Sequence, residues 1–199
     1  LLAEIDLVAR QYGSRDDATV FIGGGTPSLF AAEDIRRILE RIQSSFNVDP
    51  HAEITMEANP EGLEPGHLAA IRESGVNRLS IGVQTQAQHG LKVLGRAHRP
   101  ETPIQGIAAT REAGFENLSL DFIFGWPEQT IQDWERDLNF ILETGPEHVS
   151  MYSLIIEPNT PYQTAVDRGI LVPVDDDRVS EMYEMALSRM DAADWDHYE

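Results

Sequence analysis

Ser119-Leu120-Asp121-Phe122-Ile123-Phe124 alternates along its length. In an extended chain Leu120, Phe122 and Phe124 fall on one face, and Ser119, Asp121 and Ile123 on the other. Two other segments divide in the same way. In Thr55-Met56-Glu57-Ala58, Met56 and Ala58 oppose Thr55 and Glu57; in Ser80-Ile81-Gly82-Val83-Gln84, Ile81 and Val83 oppose Ser80, Gly82 and Gln84. A sheet covered by helices on both sides reads apolar on both faces. These strands do not, and they favour a sheet that curls, with helices outside and polar groups turned inward.

The rest of the chain supplies the alternation such a sheet needs. Leu2, Ile5, Val8, Ala9 and Tyr12 fall at helical spacing, and Gly13 is expected to close that helix. A strand is predicted over 18–23, a helix over 33–46, a strand over 52–58, and a helix over 65–74 stopped by Gly75. Strand 78–83 precedes helices over 88–94 and 103–112, the latter stopped by Gly114. Strand 117–124 leads to a helix over 131–142, which Thr130 is placed to cap and Gly145-Pro146 ends. The last strand covers 148–156; after a Pro- and Gly-punctuated loop, Asp175 to Asp177 cap a helix over 179–190. Nothing in the chain signals a hairpin, so alternation implies parallel strands joined by helical crossovers. The expected fold class is α/β, a partial (β/α) barrel with a parallel sheet and five strands visible. A doubly wound sheet is the alternative that the strand faces disfavour.

In barrels of this kind the site forms at the C-terminal ends of the strands. Gly24, Gly25 and Thr26 stand there first, then Glu57 and Asn59, Gln84, Asp121 and Gly125, and finally Tyr152 and Glu157. The first of these belong to Phe21-Ile22-Gly23-Gly24-Gly25-Thr26-Pro27-Ser28, an apolar run breaking into glycines. Glycines at a strand end accept positive φ and bring backbone N–H groups close to a ligand. Pro27 fixes the exit, and Ser28 is placed to begin the next helix. A glycine turn also serves purely structural ends, so its meaning rests on the polar strand ends that accompany it.

Composition excludes several classes. Fifteen Lys and Arg against 34 Asp and Glu give a net charge of −19 over 199 residues, which repels nucleic acid and anionic membrane surfaces. No apolar run reaches the ~20 residues of a membrane span and no leader pattern is visible, so a cytoplasmic location is expected. With 0 cysteines, disulfides and thiolate-held zinc or iron–sulfur sites are excluded from these residues. The six histidines form no HxH or HxxxH pair, and no metal site is expected. Lys92 is the single lysine, which weighs against a phosphate grip at the glycine turn.

Several ordered motifs carry a resemblance. Phe21-Ile22-Gly23-Gly24-Gly25-Thr26-Pro27, Glu57-Ala58-Asn59-Pro60, Arg78-Leu79-Ser80-Ile81-Gly82-Val83-Gln84, Leu94-Gly95-Arg96-Ala97-His98 and Asp121-Phe122-Ile123-Phe124-Gly125-Trp126-Pro127 occur in the order found in radical S-adenosylmethionine proteins of the coproporphyrinogen oxidase type. Ser150-Met151-Tyr152-Ser153-Leu154 and Glu157-Pro158-Asn159-Thr160-Pro161 look most like the HemW branch of haem chaperones. The resemblance runs over 1–199 and implies a radical SAM core domain, truncated at both ends. The chain lacks the family's CxxxCxxC segment, and the C-terminal region linked to haem handling is also missing.

That resemblance implies a partial barrel holding S-adenosylmethionine against a 4Fe–4S cluster whose ligands lie outside this chain. Gly24, Gly25 and Thr26 would meet the methionyl amino group, and Arg96 its carboxylate. Glu57, Gln84 and Asp121 would hold the amino group and the ribose hydroxyls. No catalytic residue and no metal ligand is expected among these residues, so the chain alone should be inactive. Haem or a porphyrin is the implied partner, with membranes reached only through haem-accepting proteins. Competing readings are an oxygen-independent coproporphyrinogen III oxidase, a cluster-less binding domain, and an unrelated phosphate-gripping barrel. Thr85-Gln86-Ala87-Gln88 replaces the family's usual serine–phenylalanine pair, and Trp126 its commoner leucine.

Overall fold

The computed structural model describes residues 1–12 and 16–198; the expected helix stop at Gly13 lies outside them. The elements follow one another as α1 (Leu2–Tyr12), β1 (Asp16–Ile22), α2 (Ala32–Ser45), β2 (Asn47–Ala58), α3 (Pro65–Glu73), β3 (Arg78–Gln84), α4 (Gln88–Val93), α5 (Glu101–Glu112), β4 (Asn117–Phe124), α6 (Ile131–Thr144), β5 (His148–Ser153), α7 (Pro161–Asp167) and α8 (Asp176–Asp191). The strands make one sheet in the order β1-β2-β3-β4-β5, and β1 with β2 and β2 with β3 are parallel. A doubly wound sheet reverses its strand order part-way. This one does not, and the sequential order is the one the curled sheet requires.

The chain divides into two compact units, Leu1–Gly82 with Thr102–Ser119, and Val83–Glu101 with Leu120–Glu199. In the first, Ala52, Ile54, Met56 and Ala58 of β2 are buried, as are Leu79 and Ile81 of β3. Ile35 and Leu39 of α2, Leu68 and Ile71 of α3 and Phe115 are buried with them. Each of the Ile, Leu, Met and Phe side chains contributes about 1.5–3 kcal/mol by leaving water. The opposite strand face is polar but not open, since Thr55, Ser80 and Ser119 are all buried. Register places Glu57 of β2 beside Ser80 of β3.

In the second unit Leu120, Phe122, Phe124, Trp126, Trp134, Leu138 and Ile141 form the core with Met182 and Ala186 of α8. Trp134 donates its indole N–H to the Met182 carbonyl at 2.8 Å, which satisfies the one polar atom of a fully buried ring. Thr130 caps α6 as its position suggests: its hydroxyl accepts from the Asp133 N–H at 3.1 Å, and the Asp133 carboxylate accepts from the Thr130 N–H at 3.0 Å. Gly145 closes the helix in the left-handed conformation, φ +53°.

Four departures from the sequence reading have physical causes. Ser28 lies in a 3₁₀ turn, Pro27–Leu29, because Thr26 and Pro27 carbonyls accept at i+3; α2 starts later, at Ala32. Strand β2 begins at Asn47, where Asn47 and Val48 pair with Asp16 and Asp17 before the register shifts. Strand β5 stops at Ser153, although the Leu154 N–H still reaches the Phe124 carbonyl at 2.8 Å. The loop after it contains α7, whose start is set by Thr160 accepting from the Gln163 N–H and by Pro161 in the first turn.

Candidate functional site

Strand β1 ends in a turn that only glycine makes easily. Gly24 and Gly25 have φ of +88° and +69°, and a Cβ built on either meets nothing within 4 Å. The backbone there faces open space. The Gly24 N–H donates to Glu57 Oε2 at 3.0 Å, so the half-buried carboxylate at the end of β2 is tied to the glycine turn at the end of β1. Gly23 must lack a side chain for a second reason: its Cβ would stand 3.1 Å from that carboxylate and 2.7 Å from the Phe21 ring. Two residues on, Asn59 Nδ2 donates to Thr26 Oγ1 at 3.1 Å. His67 then donates from Nε2 to the Ser28 carbonyl at 2.8 Å, which fixes its tautomer. The structure thus brings Gly24, Gly25, Thr26 and Glu57 into one cluster within the first unit, with Asn59 and His67 bracing it.

Gln84, Arg96 and Asp121 belong to the second unit. Gln84 ends β3, is buried, and has φ +70°. The Thr85 N–H donates to the Val83 carbonyl at 2.9 Å, closing a three-residue turn about Gln84. His98 Nε2 donates to the same Val83 carbonyl at 3.2 Å. Arg96 is half-buried just past α4, where its N–H donates to the Leu91 carbonyl at 2.8 Å. Asp121 is half-buried mid-way along β4, on the face opposite the buried Leu120 and Phe122. Gly125 follows β4 and donates its N–H to Gln129 Oε1 at 2.6 Å. Tyr152 and Glu157, the other strand-end candidates, are exposed.

Sequence reasoning passed over Asp137. It lies on the buried face of α6 with Trp134, Leu138 and Ile141 and is fully buried itself. Its Oδ2 accepts from the Thr85 hydroxyl at 2.8 Å and its Oδ1 from the Gln86 N–H at 2.5 Å. Burial pushes its carboxyl up to about 7, against the pull of those two donors, and the neighbouring Asp133 adds to the rise. Asp133 moves the other way. Burial would raise it, but the Thr130 hydroxyl and N–H and the Arg136 guanidinium together hold it below its ordinary range. The available signal was a carboxylate at an inward position of an amphipathic helix.

Comparison with known proteins sorts these features. The model of the Radical SAM superfamily matches residues 1–141. The chain belongs to the radical SAM superfamily. It is 38% identical over 188 residues to a protein of Bacillus subtilis named heme chaperone HemW, a match covering 94% of this chain and 50% of that protein. A Mycobacterium tuberculosis protein of the same name is 36% identical over 199 residues, covering all of this chain and 51% of the relative. The chain therefore spans about half the length of the curated relatives it matches. Among solved structures, coproporphyrinogen III oxidase (HemN) from Escherichia coli superimposes with a TM-score of 0.80 at 24% identity, over 96% of this chain and 44% of that one. That likeness establishes the fold, an α/β partial barrel of the radical SAM type.

The superfamily implies S-adenosylmethionine and a 4Fe–4S cluster. For the first, the residues of the first unit fit: two glycines open to a ligand and a carboxylate beside them suit the cationic amino group of an amino-acid end. For the cluster they do not. The sequence has no cysteine, and among the described residues no group of three or more His, Asp or Glu is placed to hold a metal ion. None of the described helices is long and apolar enough to cross a membrane.

Proposed function

We propose that residues 1–199 are the S-adenosylmethionine-binding core of a haem-handling protein of the HemW kind. The observation that carries this is the tie between the Gly24 N–H and Glu57, next to a glycine backbone open to solvent. In this reading the methionyl amino group is received by Gly24, Gly25, Thr26 and Glu57. The carboxylate pairs with Arg96, whose guanidinium offers two parallel donors. Gln84 and Asp121 take the ribose hydroxyls. The cofactor would supply radical chemistry in the whole protein, and no residue here is assigned a part in it.

Haem or another tetrapyrrole is the proposed cargo, because the Bacillus subtilis and Mycobacterium tuberculosis relatives are named for haem. The reading puts the protein in the cytoplasm, meeting membranes only through proteins that accept haem. It is tested in the full-length protein by calorimetric titration with S-adenosylmethionine under anaerobic conditions. Arg96→Ala and Asp121→Ala are each expected to weaken binding about tenfold or more, as loss of a charge-assisted contact does. Unchanged affinity in both removes the site. Titration with haem, followed by its Soret band, separates cargo binding from the rival chemistry. Carbon dioxide release from coproporphyrinogen III without stable haem binding would replace the chaperone reading with the oxidase.

A further inference from the structure

Within the reading that Gln84 contacts the cofactor, one residue outside the set acts on it. Gln84 sits at φ +70°, between Val83 and Thr85, in the strained form of the three-residue turn. A residue other than glycine keeps that conformation only where its surroundings over-determine it. Here they do. The Val83 carbonyl receives the Thr85 N–H at 2.9 Å and His98 Nε2 at 3.2 Å. On the far side of the turn the carboxylate of Asp137 takes both the Thr85 hydroxyl and the Gln86 N–H. Thr85 Oγ1 also accepts the Ala87 N–H at 3.1 Å, extending the same network to the start of α4. The Thr85 hydroxyl and the Gln86 N–H meet one buried carboxylate, and the Ala87 N–H meets the hydroxyl that carboxylate holds.

We infer that Asp137 is a positioning residue for Gln84: from α6 it locks the turn after β3 in the one conformation that presents the Gln84 amide to a ribose-bearing ligand. A carboxylate suits the task because its two oxygens accept two donors at once, one from a side chain and one from the backbone. Burial of Asp137 and of Thr85 makes those bonds matter more, since the Thr85 hydroxyl has no water to turn to. Without Asp137 the turn can relax toward ordinary φ, and only the fraction still in the strained form binds the ligand well. Affinity falls by that fraction.

The experiment is calorimetric titration of the full-length protein with S-adenosylmethionine, in wild type, Gln84→Ala, Asp137→Ala, Asp137→Asn and the Gln84→Ala/Asp137→Ala double variant. Asp137→Ala is expected to lower affinity about tenfold, and to do almost nothing further once Gln84 is alanine. Asp137→Asn keeps an oxygen for the Gln86 N–H and is expected to recover most of the affinity. Independent, multiplying losses from Gln84→Ala and Asp137→Ala would overturn the inference, because a merely structural role acts without Gln84. So would a loss with Gln84→Ala and none with Asp137→Ala, in which case the cofactor reading stands. If Gln84→Ala itself changes nothing, the assignment of Gln84 and this inference fall together. Should Asp137→Ala not fold, Thr85→Val replaces it in the cycle. It removes the hydroxyl that Asp137 accepts, and the same three outcomes decide.

Discussion

Gly90 and Trp126 are matched to each other. A Cβ on Gly90 would stand 2.5 Å from Trp126 Cζ2, and the tryptophan ring is completely buried. Alanine in place of a helix-interior glycine ordinarily gains about 1 kcal/mol. Here overpacking against a ring that cannot retreat opposes that gain with a cost of about 1–3 kcal/mol, and at a 2.5 Å approach the cost outweighs it. Gly90→Ala is therefore expected to lower stability in urea titration. The same substitution made in Trp126→Leu should be neutral or stabilising, because the ring is gone; equal losses in both backgrounds would refute the packing account. Asp137 sets a second expectation at this scale. Its folded-state value near 7 lies above the ordinary 3.8. Below about pH 4 both folded and unfolded forms are protonated and the residue has no effect on the balance. As pH rises toward 7 the unfolded chain releases the proton while the folded one retains it, so stability falls, by a few kcal/mol at most. Asp137→Asn should flatten this slope between pH 4.5 and 7.5 in denaturant titrations. Parallel pH profiles would show that the buried group is already ionised.

Helix α6 shows how one element is specified twice, once by its face and once by its start. The inward positions Trp134, Leu138 and Ile141 supply the packing, and the Thr130–Asp133 capping box supplies the end. Thr130→Ala is expected to cost about 1 kcal/mol, up to about 2, with Thr130→Ser retaining most of the stability. Denaturation midpoints of the two variants measure it; equal midpoints would mean the box adds nothing. Because the lowered value of Asp133 depends in part on Thr130, the loss should shrink as acid protonates Asp133. Local signals of this kind are what made the fold readable. Thr130 and Asp175 announced their helices, Gly114 and Gly145 ended theirs, and alternation in 119–124 gave a strand with the right face buried. Thr160-Pro161 carried the same cap-and-proline signal for α7, but flanking Pro158 and Gly169 concealed it. The start of β2 was hidden by Asp49-Pro50, since proline argues against a strand interior and the pairing there is set by β1, not by local preference. The site divides along the same line. That Gly24 and Glu57 stand together was legible because they lie at the ends of strands β1 and β2, which pair as neighbours. Asp137 was not, because its meaning depends on residues 51 and 52 positions away, Gln86 and Thr85.

At the scale of the whole chain the two groups that the superfamily implies part company. The proposed binding of the sulfonium cofactor draws on carboxylates such as Glu57 beside the glycine turn, and a net charge of −19 favours the approach of a cation. Holding a 4Fe–4S cluster needs thiolates, and the 199 residues contain 0 cysteines. Histidine and carboxylate substitutes are not assembled either, since no such cluster of three exists among the described residues. Anaerobic treatment of the 199-residue chain with iron and sulfide is thus expected to leave no protein-bound visible absorbance after desalting. With S-adenosylmethionine and a strong reductant, it should yield no 5′-deoxyadenosine. Carrying the same treatment through on the full-length protein gives the comparison. If the short chain alone retains iron and sulfide in cluster proportion, or cleaves the cofactor, then a non-cysteine ligand set exists that the strand-end chemistry does not account for. Retention of S-adenosylmethionine by the short chain, without its cleavage, is the result that separates a binding surface from a reacting one.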